Sequence, residues 1–226
     1  MTEQLTAEQL VKEQKTAFWD IIEVFNKEGL LPYIMIIGSW AEFIYQNYFS
    51  SDFIANLRTR DVDFMYYNLH KPKGVNIRII KSMEEKGFEY NEHRLTGISR
   101  FTKGDILLVE FLTRVLGAGE EGINEIPALN FKASGIREIN MLASYPLDIE
   151  CNGYKLKVPE PEAYVLQKLL INPKRKNEDK RNKDMQSIIN LMDYVNRDRL
   201  KDIFNKMFKK EQKIVSRVMQ EHHIEF

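Results

Sequence analysis

The sequence predicts an α+β fold: a mixed β-sheet flanked by helices, followed by a helical C-terminal domain. Three observations predict it. Short apolar runs of strand length, at 33–37, 61–67 and 106–112, are separated by segments with apolar residues at helical spacing. From Pro159 onward nearly every apolar residue falls at helical spacing. The character of the chain changes at that proline, which sets the expected boundary between residues 1–158 and 159–226. A site is expected in the cleft between the two parts.

Composition sets the outer limits. The 226 residues allow one large domain or two small ones, with a substantial core. Net charge is zero, so no bulk field draws the chain to nucleic acid or membrane, although a local basic patch could. Cys151 is the sole cysteine, which excludes an intramolecular disulfide and fits a reducing cytoplasm. The first fifteen residues are polar and carry acids, unlike a secretory signal. No apolar run reaches the length of a membrane span. His70, His93, His222 and His223 show no metal-ligand spacing.

Taken in order, residues 7–28 read as an amphipathic helix. Thr6 and Gln9 form a capping box, and Gly29 and Pro32 end the segment. The run 33–37 is a strand closed by Gly38-Ser39, and 41–49 is an aromatic-rich helix that packs under the sheet. A polar connection over 50–58 leads to the strand 61–67. Pro72 and Gly74 precede a helix to about Lys86, capped by Gly87, and 88–90 is a short strand. Lys103-Gly104-Asp105 between two apolar runs marks a hairpin. The glycine-rich stretch 117–135 reads as irregular, either a mobile loop over the site or a plain surface excursion. Short strands are expected at 136–141, 147–150 and 154–158. Pro161 opens a helix to about Asn172, which Pro173 breaks. Lys174–Lys183 holds six bases against two acids and reads as a solvated face or a phosphate-binding run. Helices follow over 184–194, 197–208 and 210–221.

Chemistry concentrates between Tyr33 and Phe64. Alternate side chains of a strand share a face, so Asp61 and Asp63 point the same way. Two like charges side by side call for a cation, and oxygen-only ligands favour Mg²⁺ or Mn²⁺. Gly38 allows close approach to the backbone, and Ser39 stands where a helix would turn its free N–H groups on a phosphate. In the second hairpin arm, Glu110 is an acid among Ile, Leu, Val and Phe, costly to bury without a cation or donors. Asp105 is the competing third acid but lies at the turn. Lys168, on an apolar helix, either snorkels or reaches a phosphate.

At these residues the chain resembles the nucleotidyltransferase superfamily of DNA polymerase β-like fold. The resemblance rests on Gly38-Ser39 after a strand, a helix, and Thr59-Arg60-Asp61-Val62-Asp63. Within the superfamily it looks most like the minimal bacterial members, including toxins of abortive-infection toxin–antitoxin systems. Many of those carry an arginine where this chain has Leu57, flanked by Arg58. The resemblance implies that Glu110 takes the place of a third metal-binding carboxylate. It extends to Pro161-Glu162, Lys168 and Lys183-Asp184, where family lysines contact the triphosphate and the aspartate orders them. It implies transfer of an NMP from an NTP to a hydroxyl of RNA, protein or a small molecule. Asp61, Asp63 and Glu110 would hold metal, while Gly38, Ser39, Lys168, Lys183 and Asp184 would hold the nucleotide. The other expectation is a catalytically silent module that binds a nucleotide or a partner such as an antitoxin.

Overall fold

The structure is a computed structural model that describes residues 6–49, 52–55, 57, 59–66, 78–115, 122–127 and 129–225. The expectations that fall on Arg58, Tyr67, His70, Pro72, Gly74, Gly117 and Gly119 lie outside the described residues.

Helix α1 spans Ala7–Lys27, and its start is set by the capping box of Thr6 and Gln9. Its buried face carries Phe18, Ile21, Ile22 and Phe25. A 3₁₀ turn over Leu31–Tyr33 then feeds β1, Ile34–Ile37, all four residues of which are buried. Helix α2 runs from Ser39 to Tyr45, and β2 from Asp61 to Tyr66. Helix α3 (Ile79–Glu85), β3 (Glu89–Glu92), β4 (Ser99–Lys103) and β5 (Leu107–Arg114) follow. The β4–β5 hairpin forms as expected, with Phe101 opposite Val109.

Two expectations for the next stretch are corrected. Residues 122–135 are not irregular: β6, Gly122–Ile126, and β7, Phe131–Ile136, pair as an antiparallel hairpin. Phe131 and Ala133 bury one face of β7, which supplies the apolar gain that glycine content alone obscures. Gly135 is there for room, since a Cβ would meet Asn124 Nδ2 at 2.4 Å. The expected strand at 136–141 is instead the end of β7 and the start of helix α4, Asn140–Ser144. Ile139, Leu142 and Ala143 pack together there, a helical spacing that a strand would have split across two faces. Strands β8, Pro146–Cys151, and β9, Tyr154–Pro159, form a separate two-stranded sheet.

The main sheet is mixed and has seven strands among the described residues. Strand β2 lies between β1, antiparallel to it, and β5, parallel to it. The other side of β5 is shared: its first half pairs with β4 and its last three residues pair in parallel with β7. Burial alternates strictly along β5. Leu107, Val109 and Phe111 enter the large core under α1, while Leu108, Glu110 and Leu112 turn to the opposite face. A small second core of Met35, Ile37, Met65, Ile139, Leu142 and Ala143 lies apart from the large one.

The C-terminal helices are α5 (Pro161–Ile171), α6 (Glu178–Met192), α7 (Arg197–Lys206) and α8 (Lys209–Glu221). Helix α6 begins six residues before the expected start at Asp184, because the Asn177 side chain caps it by accepting from Lys180 N. The charged run is therefore largely helix rather than loop. Apolar residues of these helices join the same core as α1 and the sheet. Tyr45 of α2 donates from its hydroxyl to the Pro159 carbonyl at 2.7 Å, so the entry to α5 is tied to α2.

Phe18 stacks on Trp40, with ring centroids 4.5 Å apart and planes 12° apart, and both rings are fully buried. This pair lies one residue past Ser39 and props α2 on α1. Phe18→Ala should cost about 3–5 kcal/mol in urea unfolding with an unchanged denaturant slope.

Candidate active site

Strand register builds the acidic half of the site. Asp63 is opposite Glu110 in the parallel β2–β5 pair, so the two carboxylates stand side by side on one face. Asp61 shares that face two residues earlier and is exposed. On the other flank Asp63 is opposite Ile37, the residue before the Gly38 turn. Asp63 is consequently enclosed by its own sheet. Burial chiefly, then Glu110, then Asp61, push its carboxyl up from 3.8 to about 7, and the more distant Lys180 and Arg175 only partly offset this.

Gly38 is required twice over. Its backbone sits at φ 66° and ψ −157°, a region essentially confined to glycine. A Cβ at this position would come within 3.0 Å of Asp63 Oδ2. The turn's backbone thus calls for glycine, and a side chain there would also press on the half-buried Asp63 carboxylate.

The basic half comes from α5, α6 and the short connection between them, which carries Arg175. Lys168 Nζ donates to Asp184 Oδ1 at 2.8 Å, and Arg175 Nε donates to Asp184 Oδ2 at 3.1 Å. Lys180 and Lys183, three apart on α6, lie on one side of the helix. A cavity of about 270 Å³ is lined by Gly38, Ser39, Asp61, Asp63, Lys168, Lys183 and Asp184, and by Arg175 and Lys180 as well. Seven of the eight residues singled out from the sequence thus meet in one space. The eighth, Glu110, lines an adjoining cavity of about 440 Å³ that also contains Gly38, Asp63, Lys168 and Asp184. Asp105 stands apart, exposed at the β4–β5 turn and paired with Arg60 at 3.2 Å. Leu57 is buried in the large core. Among the described residues no three His, Cys, Asp or Glu side chains are closed up as a ready-made metal cage. A separate cavity of about 550 Å³ between α4, α5, α7 and α8 holds none of these carboxylates.

Three residues escaped the sequence reading. Glu42 is only 2% exposed and accepts hydrogen bonds from Tyr164 Oη at 2.6 Å and from Ser187 Oγ. Tyr164 Oη also lies 3.0 Å from the Gly38 carbonyl oxygen. Burial, reinforced by Glu42, pushes the Tyr164 hydroxyl well above its ordinary range, so it keeps its proton and donates. These contacts fasten the Gly38 turn to α5 and α6. An acid on an apolar helix (Glu42) and a tyrosine four before a lysine (Tyr164) were the only local signals available.

Residues 16–213 match the model of a protein family described as nucleotidyltransferase. The chain therefore belongs to the nucleotidyltransferase family, as its strand–Gly-Ser–helix–Asp-x-Asp arrangement implied. Among solved structures it is similar to an antigenic nucleotidyltransferase-like protein from Paracoccidioides brasiliensis, with 15% identity and a TM-score of 0.54 over 96% of this chain and 90% of that one. It is also similar to ANT(2″)-Ia in complex with adenylyl-2″-tobramycin, with 14% identity and a TM-score of 0.52 over 91% of this chain and 98% of that one. At such identities the likeness shows the fold. No curated protein matches the chain. No described helix is long and apolar enough to cross a membrane.

The raised Asp63 carboxyl has a consequence for stability in metal-free buffer. Between its ordinary 3.8 and about 7, the folded chain retains a proton that the unfolded chain releases. Stability attributable to Asp63 therefore declines as pH rises through that window. In EDTA, Asp63→Asn should melt higher than wild type at pH 8, and the difference should shrink toward pH 4. Thermal melts at both pH values check it.

Proposed function

We propose that the chain is a metal-dependent enzyme that moves an NMP from an NTP to an acceptor hydroxyl. One observation carries the reading. Three carboxylates on one sheet face, Asp61, Asp63 and Glu110, look onto a glycine turn, and four cations from α5, α6 and the connection between them line the cavity beyond it.

The residues fit a hard divalent cation of the Mg²⁺ or Mn²⁺ kind. The donors are all carboxylate oxygens, and burial, then the neighbouring carboxylates, already hold Asp63 far from its ordinary ionisation, a cost that a bound cation would offset. Asp61, Asp63 and Glu110 would hold it. When bound, such an ion supplies charge neutralisation at the reacting phosphorus and at the entering and leaving oxygens.

The rest is work for the chain's own groups. Lys168, Lys183, Lys180 and Arg175 take the β- and γ-phosphates, with Gly38 and Ser39 at the turn. Asp184 keeps Lys168 and Arg175 aligned along one edge of that cavity. Glu110 accepts the proton of the acceptor hydroxyl. The acceptor oxygen forms a bond to the α-phosphorus as the bond from that phosphorus to the bridging oxygen breaks. Pyrophosphate leaves toward the lysines, which offset its charge.

Calorimetric titration with each of the four NTPs, with and without Mg²⁺, tests the reading. Asp61→Ala should retain the wild-type melting curve, because Asp61 is exposed, and should lower pyrophosphate release at least about a hundredfold. Mg²⁺-dependent NTP binding should weaken with it. A folded wild type that binds no NTP would instead fit a silent module of this fold that serves a partner.

A further inference from the structure

We infer that the cavity beside Glu110 receives the acceptor, and that this acceptor is an uncharged small-molecule alcohol with an apolar face, read by the amide of Gln167. The inference rests on the nucleotidyl-transfer reading above and adds the acceptor's class.

Two cavities meet at Gly38, Asp63, Lys168, Arg175 and Asp184. They differ in what lies beyond that shared wall. One continues to Asp61, Lys180 and Lys183 and suits phosphates. The other continues to Glu110 and is floored by Ile37, Leu112, Ile136, Ile139, Leu142 and Ile171. In-line displacement places the entering oxygen opposite the leaving one. If pyrophosphate departs past Lys183, the acceptor enters from the far side of Asp63. Glu110, the proton acceptor, lines that side and not the phosphate side.

The lining restricts what can enter. In this lining Lys174 and Glu138 are mutually bonded at 2.8 Å, and Lys168 and Arg175 are both bonded to Asp184. With the nucleotide seated, Lys168 and Arg175 are engaged by its phosphates and Lys174 by Glu138, so a polyanion finds no spare cation there, and the acids that face the acceptor, Asp63 and Glu110, have a catalytic task. Neutral, apolar-faced ligands match the aliphatic floor. The volume of about 440 Å³ suits a small molecule and not a folded macromolecule. A nucleobase would ask for a flat stacking surface. The aromatic ring in this lining, Tyr164, is packed edge-on against Tyr45 and lies under Lys168 Nζ at 5.0 Å.

Gln167 supplies the polar contact. It is 4% exposed, it lines this cavity, and its Oε1 is buried without a hydrogen-bond partner among the described residues. A buried amide oxygen left unpaired is costly, and native folds keep such groups where something else satisfies them. A glutamine amide can accept from a ligand hydroxyl or donate to a carbonyl or ether oxygen. With such a ligand seated, its reacting hydroxyl loses a proton to Glu110. The O–P bond to the NMP forms, and pyrophosphate leaves, so the product is a phosphodiester of the alcohol.

The test uses the full chain with Mg²⁺ and an α,β-methylene NTP, which binds but cannot transfer. Ligand-observed NMR is run with a panel of neutral hydroxylated compounds, tobramycin as the polycation, and a short RNA. Two variants are compared: Ser134→Phe, which narrows the cavity from β7, and Gln167→Leu, which removes the amide at similar size. Thermal melts establish that both fold. Nucleotide Kd should stay within about twofold of wild type in both. At least one neutral alcohol should bind wild type, be lost in Ser134→Phe, and weaken about five- to tenfold in Gln167→Leu. A tenfold loss of nucleotide binding in either folded variant would put the nucleoside in this cavity and overturn the inference. So would a panel in which only tobramycin or RNA binds, or in which no compound's binding depends on Ser134. Failure of the wild type itself to bind the nucleotide would refute the transfer reading instead.

Discussion

Repulsion between carboxylates on neighbouring strands is the constraint that the rest of the site accommodates. Asp63 and Glu110 are set opposite each other by parallel register, so their Cα positions cannot separate without breaking the sheet. The space over Asp63 is kept open by the missing side chain of Gly38, and a second sheet neighbour, Ile37, closes the flank. The protein answers the acids by bringing bases from another part of the chain. The phosphate-side cavity carries Glu42, Asp61, Asp63 and Asp184 against Lys168, Arg175, Lys180 and Lys183. That local neutrality agrees with the zero net charge of the whole. On the proposed reading, a phosphate ligand would compete with Asp184 for Lys168 and Arg175, so binding would carry a rearrangement of ion pairs rather than a simple filling of a positive hole.

The parts of the fold legible in the sequence were those where one short window carries a complete physical argument. Thr6 and Gln9 declare a helix start, Lys103-Gly104-Asp105 declares a turn, and alternation in 107–112 sends Glu110 to the face away from the large core. The same alternation separated Glu110 from Asp105 before any pairing was visible. The chain was harder to read where partners are distant. The hairpin of β6 and β7 is held by parallel pairing to the end of β5 and by Asn124 lying over Gly135, and neither leaves a trace in a local pattern. At 136–141 apolar and polar residues alternate loosely enough to suggest a strand, and tertiary burial of Ile139 with Leu142 decides for a helix.

The buried polar network marks the same boundary. Glu42, Tyr164 and Ser187 come from three helices, and each is unremarkable alone. Tyr164 and Ser187 converge on Glu42, and Tyr164 reaches the Gly38 carbonyl, only after the C-terminal helices dock. Docking is in turn secured by contacts such as Tyr45 to the Pro159 carbonyl and by a core that runs without interruption from α1 to α8. The Gly38 turn, which looks local in sequence, is thus held in place by residues more than a hundred positions away.

The shared strand β5 divides inheritance from adaptation. Its first half, paired with β2 and β4, fixes the acids; its last three residues, paired with β7, begin the wall on which α4 and the aliphatic cavity are built. Changes beyond Leu112, in β7, α4 or the cavity face of α5, reshape what can be bound without disturbing the register of Asp63 and Glu110. If that cavity receives the acceptor as proposed, one acceptor could be exchanged for another by changes at a few aliphatic positions while the chemistry stood still.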